Sequence, residues 1–416
     1  MEGGQTDSVI GRRTPASVSV SPATWLSRLR AAALEPSLRE PLTIWLLTRA
    51  LFLVLTYFGV ILYGQVFSQP HPTQLHQLLP SWDRWDTVWY IDIARRGYAW
   101  HRPGVSTSPT AFFPLYPLLI RAGVALTHRS YLAVALAVSN LALLPALIYL
   151  WKLVAWERHS AAARRTVLYI TVFPTALFFF AGYTESLYLL LTVASFYHLR
   201  RRDWLLAGVF GGLAAATRVT GVLLLVPLAY EYARDRNFTI RRMDWWALSL
   251  TLVPAGLAAF MIYLGHTVND PLAFSHHQEG WQKIFTWRLW AGFLETIRQI
   301  ALVQPRASFF EAHNVLNGAL GALSLVASVL AARRLPAAYG LFLLAFWVVT
   351  LSSPAMAGGY PVPLVSLSRY VLTLFPLFIY LGILGTRRTI NDSYLVPATA
   401  LLSLLTVQFI HGGWVV

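Results

Sequence analysis

The chain has 416 residues, 56% of them hydrophobic and 12% charged, with 16 tryptophans and no cysteine. Without cysteine there are no disulfides, thiolate zinc sites or thiol nucleophiles, and repeated apolar runs of about 18 residues exclude a soluble globule in favour of an all-α polytopic membrane protein. The net charge of +15 rests on 33 basic residues, all arginine except Lys152 and Lys283. They are scattered among loops, which orients membrane helices and lacks the basic stripe of a nucleic-acid binder.

Residues 1–40 are rich in Ser, Thr, Pro and Arg and carry no apolar run before Leu42, which predicts a disordered cytoplasmic tail and not a cleaved signal peptide. Residues 41–416 read as one transmembrane domain. Arg12, Arg13, Arg28, Arg30 and Arg39 hold the N-terminus inside, so the run from Leu42 to about Gly64 crosses outward and the next segment is external.

That external segment, SWDRWDTVWYIDIARRGYAWHRP at Ser81 to Pro103, concentrates acids, arginines and aromatic rings. Read as one helix, it puts Trp82, Trp85 and Trp89 on one stripe and Asp83, Asp86 and Tyr90 on the next. Such a helix lies flat at a membrane surface, its tryptophans at headgroup depth and its carboxylates towards an aqueous cleft. Asp86, between Trp85 and Trp89 in a partly dry place, is the candidate general base; a surface pair with Arg84, Arg95 or Arg96 is the alternative. Asp83 is a weaker version of the same case, and Asp92 points to the far side. The apolar stretch Ala111 to Leu126 reads as an interfacial or tilted helix, because a full crossing would put the arginines of 152–165 outside.

Cytoplasmic loops are marked by Lys152, Arg158, Arg164 and Arg165, by Arg200 to Arg202, by Arg234, Arg236, Arg241 and Arg242, by Arg333 with Arg334, and by Arg387 with Arg388. GYTES (Gly182 to Ser186) and GGYPVPLVSLS (Gly358 to Ser368) carry no such cluster and are placed outside. Spans are expected near 131–151, 166–182, 184–199, 244–265, 313–332, 336–352, 369–385 and 394–411. Residues 204–232 have cytoplasmic arginines at both ends and must cross an even number of times. Split at Thr217-Arg218-Val219-Thr220-Gly221, each arm has about 14 residues, or roughly 21 Å of helix, less than the roughly 30 Å hydrocarbon layer. The expectation is a hairpin of half-length helices that carries Arg218 into the outer half of the membrane. The total is about nine spans plus the hairpin, or about eleven helical segments, with external loops near 66–129 and 266–312, the first bearing interfacial helices.

None of the 18 acidic residues lies mid-span. Ion-coupled transporters keep carboxylates there, at roughly 2.5 to 3.5 kcal/mol each, so the distribution points to chemistry at the external interface. Glu185 in YTES reads chiefly as an acid in the first turn of a helix capped by Thr184, with a place in a polar pocket as the alternative. Arg218 at a membrane-embedded tip calls for a carboxylate or phosphate partner. Arg369, beside Tyr370 in SLSRY, is a second phosphate contact or a snorkelling arginine. His276, His277 and Glu279 lack zinc spacing, and neither metal nor other cofactor is expected. Trp281, Trp287 and Trp290 read as an interfacial belt.

Taken together, WDTVWYIDIARRGY (Trp85 to Tyr98), AFFPLYPLL (Ala111 to Leu119), FPTALFFFAGYTESLYLLL (Phe173 to Leu191), AATRVTG (Ala215 to Gly221) and SRYVLTLFPLFI (Ser368 to Ile379) resemble the GPI mannosyltransferase II (PIG-V) family and its prokaryotic relatives. The similarity runs from about 85 to 380 and departs at Arg84, where eukaryotic members carry His. It implies an integral-membrane glycosyltransferase of the GT-C type, acting in glycolipid biosynthesis. Such enzymes move a sugar, commonly mannose, from a polyprenyl- or dolichyl-phosphate carrier to a lipid or glycan acceptor at the external or luminal face. By that resemblance Asp86 is the base of a metal-free reaction, and Glu185 and Arg218 match family motifs. Asp83, Trp85, Tyr90, Arg369 and Tyr370 complete the expected substrate contacts. A prokaryotic member would sit in the plasma membrane and a eukaryotic one in the endoplasmic reticulum. The alternative function is a polyprenyl-phosphate or glycolipid flippase, which also needs cavities, a buried arginine and broken helices. Against it, the hydropathy shows no inverted repeat and the acids crowd one face.

Overall fold

The structure, a computed structural model, describes residues 35–63, 75–100 and 108–415. The tail expected over 1–40 lies outside the described residues up to residue 34, and residues 36–40 are already helical. Among the described residues every regular element is a helix, apart from one isolated bridge between Lys283 and Ala355. A bilayer imposes this economy, because backbone polar groups without water must be satisfied within their own segment.

The principal helices are α1 (Pro36–Phe58), α2 (Asp86–Arg96), α3 (Leu115–Thr127), α4 (Tyr131–Glu157), α5 (Ser160–Thr171), α6 (Glu185–Arg200) and α7 (Trp204–Ala215). They continue with α8 (Leu225–Asp235), α9 (Leu252–Val268), α10 (Phe309–Arg334), α11 (Ala337–Leu351), α12 (Phe375–Leu384) and α13 (Arg388–Ile410). Five stretches are long and apolar enough to cross a membrane: Pro36–Tyr63, Tyr131–Glu157, Trp245–Val268, Phe309–Arg334 and Arg388–Ile410. The protein is a multi-pass integral membrane protein. Its centre is α4, which packs against α1, α5 and α6 and buries Leu143, Ala146, Leu147, Leu150 and Leu153 completely.

The hairpin forms as expected. Helix α7 has 12 residues, about 18 Å of rise. The chain then becomes extended at Arg218, makes a short 3-10 turn over Val219–Leu224, and returns as α8. Gly221 allows the tight tip, since a Cβ there would stand 2.3 Å from the Ala214 carbonyl carbon. Glycine also sets the crossing of α7 and α9. A Cβ on Gly256 would stand 1.9 Å from the Gly212 carbonyl oxygen, the close backbone approach that small residues permit between membrane helices.

Loops expected to share the cytoplasmic side do gather at one end. Arg200 bonds Glu157 at 2.5 Å and Glu231 at 2.9 Å, Arg202 meets Asp235 at 3.0 Å, and Arg236 meets Asp244 at 2.8 Å. Helix α3, with 13 residues, rises only about 20 Å, too short for a straight crossing.

Three expectations require correction. The Trp/Asp stretch is not one helix: a 3-10 segment ends at Trp82 and α2 starts at Asp86, so Trp82 and Trp85 do not share a stripe. The span expected over 166–182 stops as helix at Thr171, where Pro174 removes a backbone donor and bars the next turn. The span expected over 369–385 is interrupted between Val371 and Phe375, again just before a proline, Pro376. Irregular backbone of this kind is tolerated at membrane depth only when buried in protein or lining a cavity. Both breaks border one cavity, the first through Phe178 and Tyr183 and the second through Thr373.

Candidate active site

The segment between α1 and α2 reaches the site through Trp82. Its buried ring packs on Phe180 with centroids 4.6 Å apart, and its indole N–H donates to Thr56 Oγ1 of α1 at 3.0 Å. Beyond this anchor the chain turns sharply at Trp85, whose φ of 53° is strained for a bulky side chain. The turn leaves the Trp85 ring 45% exposed and starts α2 with Asp86, where the helix dipole favours an acid. The Asp86 backbone N–H donates to the Tyr183 hydroxyl at 3.2 Å.

The Asp86 carboxylate meets Arg369 Nη1 at 2.5 Å. Arg369 Nε stands 3.6 Å from Glu185 Oε1, and the same oxygen accepts from Arg218 Nη1 at 2.7 Å. A chain of alternating charge therefore runs Asp86, Arg369, Glu185, Arg218. Glu185 is 1% exposed and Asp86 18% exposed, so one carboxylate is structural ballast behind the guanidiniums and the other faces open space. Aromatic rings cover the cations. Arg369 lies 5.5 Å from the centroids of Phe178, Tyr183 and Tyr370, and Arg218 lies 5.7 Å from Tyr188 and 5.3 Å from Tyr370. Such faces attract guanidinium most strongly where water is excluded.

Broken backbone beside the site is satisfied by side chains. The carbonyls of Phe179, Phe180 and Tyr183 fall between helices, and a buried carbonyl without a partner carries a large desolvation penalty. Arg49 of α1 donates to Phe179 O at 3.1 Å and to Asn140 Oδ1 at 2.7 Å. Asn140 Nδ2 donates to Phe180 O at 2.9 Å, and Ser139 Oγ donates to Tyr183 O at 2.8 Å. These bonds from α1 and α4 hold the turn that presents Tyr183, Thr184 and Glu185.

All of this opens on a cavity of about 1120 Å³ whose lining includes Trp85, Asp86, Tyr90, Arg218, Arg369 and Tyr370. Six of the residues singled out from sequence thus converge on it. Tyr90 closes its inner wall, edge-on to Phe112 and Tyr116, with its hydroxyl 3.4 Å from Thr184 Oγ1. Glu185 stands behind the lining. It is more than the helix-start acid that its sequence suggested, and Thr184 makes no side-chain cap. Asp83 is exposed and lies outside the lining, because the break at Trp85 turns it away. Trp281 also lines the cavity and meets Trp89 edge-on at 6.2 Å. Trp287 and Trp290 remain exposed. His277 Nδ1 contacts Thr110 Oγ1 at 2.7 Å, and His276 Nδ1 contacts Asp270 at 2.8 Å.

Sequence reasoning missed Arg49, Tyr183 and Lys283. Lys283 lines the cavity with its ammonium 2.9 Å from the Tyr370 hydroxyl. Its signal was present in the chain: it is one of only two lysines. Arg49 was equally visible as a lone cation inside the first apolar run, a position that normally marks function or a specific partner.

Fold and site together define a multi-pass membrane protein with an acid and guanidinium centre at one end of its helix bundle, opening on a large aromatic cavity. Residues 66–240 match the family model described as Mannosyltransferase (PIG-V). It is 30% identical over 150 residues to GPI mannosyltransferase 2 of Yarrowia lipolytica, covering 36% of this chain and 40% of that one. It is also 30% identical over 235 residues to GPI alpha-1,6-mannosyltransferase 2 of Mus musculus, covering 51% of this chain and 46% of that one. The chain thus spans about half the length, or less, of these relatives. Among solved structures it is similar to ArnT from Cupriavidus metallidurans bound to undecaprenyl phosphate, at a TM-score of 0.49 and 14% identity over 85% of this chain and 62% of that one. The archaeal oligosaccharyltransferase AglB from Archaeoglobus fulgidus aligns at 0.46 and 12%, over 88% of this chain and 56% of that one.

Proposed function

We propose that the protein is a membrane glycosyltransferase that transfers a hexose, mannose by the names of its relatives, from a polyprenyl-phosphate carrier to a hydroxyl of a lipid or glycan acceptor. The observation that carries this reading is Asp86: a carboxylate at a helix start, facing a large cavity, oriented by Arg369 at 2.5 Å. An acceptor hydroxyl within hydrogen-bond reach of it can be deprotonated as it attacks. The new bond joins acceptor oxygen to the anomeric carbon, the bond from that carbon to the phosphate oxygen breaks, and the lipid phosphate leaves with the electron pair. The proton ends on Asp86. A single displacement inverts the anomeric centre. Trp85 and Trp89, both in the lining, offer apolar faces for the sugar ring, and the cations of the cavity stabilise charge where it develops. Neither metal nor other cofactor takes part in this reaction.

Residues 41–416 then form one membrane domain behind a cytoplasmic tail, with the site on the external or luminal side. The membrane is the plasma membrane in a prokaryotic source and the endoplasmic reticulum in a eukaryotic one. The test is an assay of purified protein in liposomes with radiolabelled polyprenyl-phosphate mannose and a membrane lipid extract as acceptor. Label in a new product that requires Asp86 supports transfer. Label that crosses the bilayer unchanged overturns transfer and establishes the flippase.

A further inference from the structure

The ions of the site do not balance. Asp86 and Glu185 are matched by Arg369 and Arg218, which leaves those two guanidiniums committed to protein carboxylates. Among the described residues Lys283 is the remaining cation on the cavity wall. Its contacts there are with Tyr370, the hydroxyl at 2.9 Å and the ring centroid at 4.9 Å. The same ring lies 5.3 Å from Arg218 and 5.5 Å from Arg369, so Tyr370 sits amid three cations and the excess positive charge lies on the Lys283 side.

Lys283 is also held in place. Its segment pairs with the stretch before the last external turn. Ile284 N–H donates to Pro354 O at 3.0 Å, Thr286 N–H to Ser352 O at 2.8 Å, and Ala357 N–H to Gln282 O at 3.0 Å, around the bridge between Lys283 and Ala355. A lysine on so short a paired segment has a fixed root, and its ammonium is already held against Tyr370, so little freedom remains to be lost on binding.

We propose that Lys283 is the primary anchor of the carrier phosphate, with Arg218 and Arg369 serving mainly to hold the two carboxylates. The proposal rests on the lipid-phosphate donor of the transferase reading and deepens it. A sugar phosphodiester carries one negative charge, which the third cation of the wall matches. When the sugar departs, the phosphate becomes a monoester with a charge of about −1.5 to −2 at neutral pH. The attraction to Lys283 therefore grows along the reaction, the condition under which a contact accelerates chemistry instead of only tightening binding.

The experiment titrates the full-length protein in detergent with a sugar-free prenyl monophosphate, using the matching prenyl alcohol as the uncharged control. Wild-type protein is expected to bind the phosphate more tightly than the alcohol. Lys283→Gln should weaken phosphate binding about tenfold or more, the effect of losing one charge-assisted hydrogen bond, leave alcohol binding unchanged, and be restored by Lys283→Arg. Lys283→Met keeps an unbranched side chain of similar length without the charge and substitutes if the Gln variant does not fold. Equal phosphate affinity in wild type and the neutral variants overturns the assignment while leaving the transferase reading intact. Failure of the wild type to distinguish phosphate from alcohol overturns both.

Discussion

Asp86 and Arg369 lie 283 positions apart in the chain and meet at 2.5 Å. This contact closes the site by joining the start of α2 to the short helical turn Leu367–Val371. It aims the only carboxylate that lines the cavity among the described residues.

Replacing Asp86 by Asn keeps the size of the side chain and removes the base. Turnover of polyprenyl-phosphate mannose is expected to fall by about 10²- to 10⁴-fold, the usual contribution of a general base, with the unfolding midpoint in detergent nearly unchanged. Turnover within a factor of two of wild type would take Asp86 out of the mechanism.

Glu185 and Arg218 form the buried half of the network at 2.7 Å. Arg218→Leu leaves a buried acid with only the 3.6 Å contact to Arg369, and breaking such a pair costs about 3–5 kcal/mol. The loss should appear as a lower midpoint in denaturant titration, and Glu185→Gln added to Arg218→Leu should recover part of it. An additive double variant would show that the pair is not coupled.

Arg49 acts through the turn it bonds. It is 7% exposed and makes its hydrogen bonds to Phe179 O and Asn140. Arg49→Gln should lower kcat while leaving KM for the donor within about threefold, and Arg49→Lys should restore part of kcat, because a positioning residue sets the geometry of the reacting groups. A fall in thermal midpoint that tracks the loss of activity, without rescue by Lys, would reduce Arg49 to a packing role.

Gly256 and Gly212 meet where α7 crosses α9, with room for no side chain between them. Gly256→Leu should separate the helices, displace the 217–221 tip that carries Arg218, and lower both stability and activity. Leu213→Ala, at an exposed position on α7, should leave both within error. Equal tolerance at the two positions would mean that the crossing does not hold the hairpin.

Local composition controls much of this architecture, and that part could be read from the chain alone. Apolar runs near 18 residues must become helices in a bilayer, and arginine clusters sort the loops by side. Two short apolar arms around TRVTG can only make a shallow hairpin, and the eventual site residues Asp86, Arg218 and Arg369 were all visible as charges at helix ends. Where the reading failed, local rules competed with distant contacts. Periodicity joined Trp82 to Trp85 in one helix, but Trp82 is drawn into Phe52 and Phe180, and the chain strains at Trp85 to allow it.

Sequence by itself determined the membrane class, the gathering of its arginine-rich loops at one end and the charged residues available at helix ends, because those depend on each segment's own transfer free energy. Tertiary structure alone decided which charge meets which. Glu185 bridges both guanidiniums, Asp83 is turned away, and Lys283 stands against a tyrosine instead of a carboxylate. Pairing depends on where helices far apart in the chain cross, and no local periodicity encodes that.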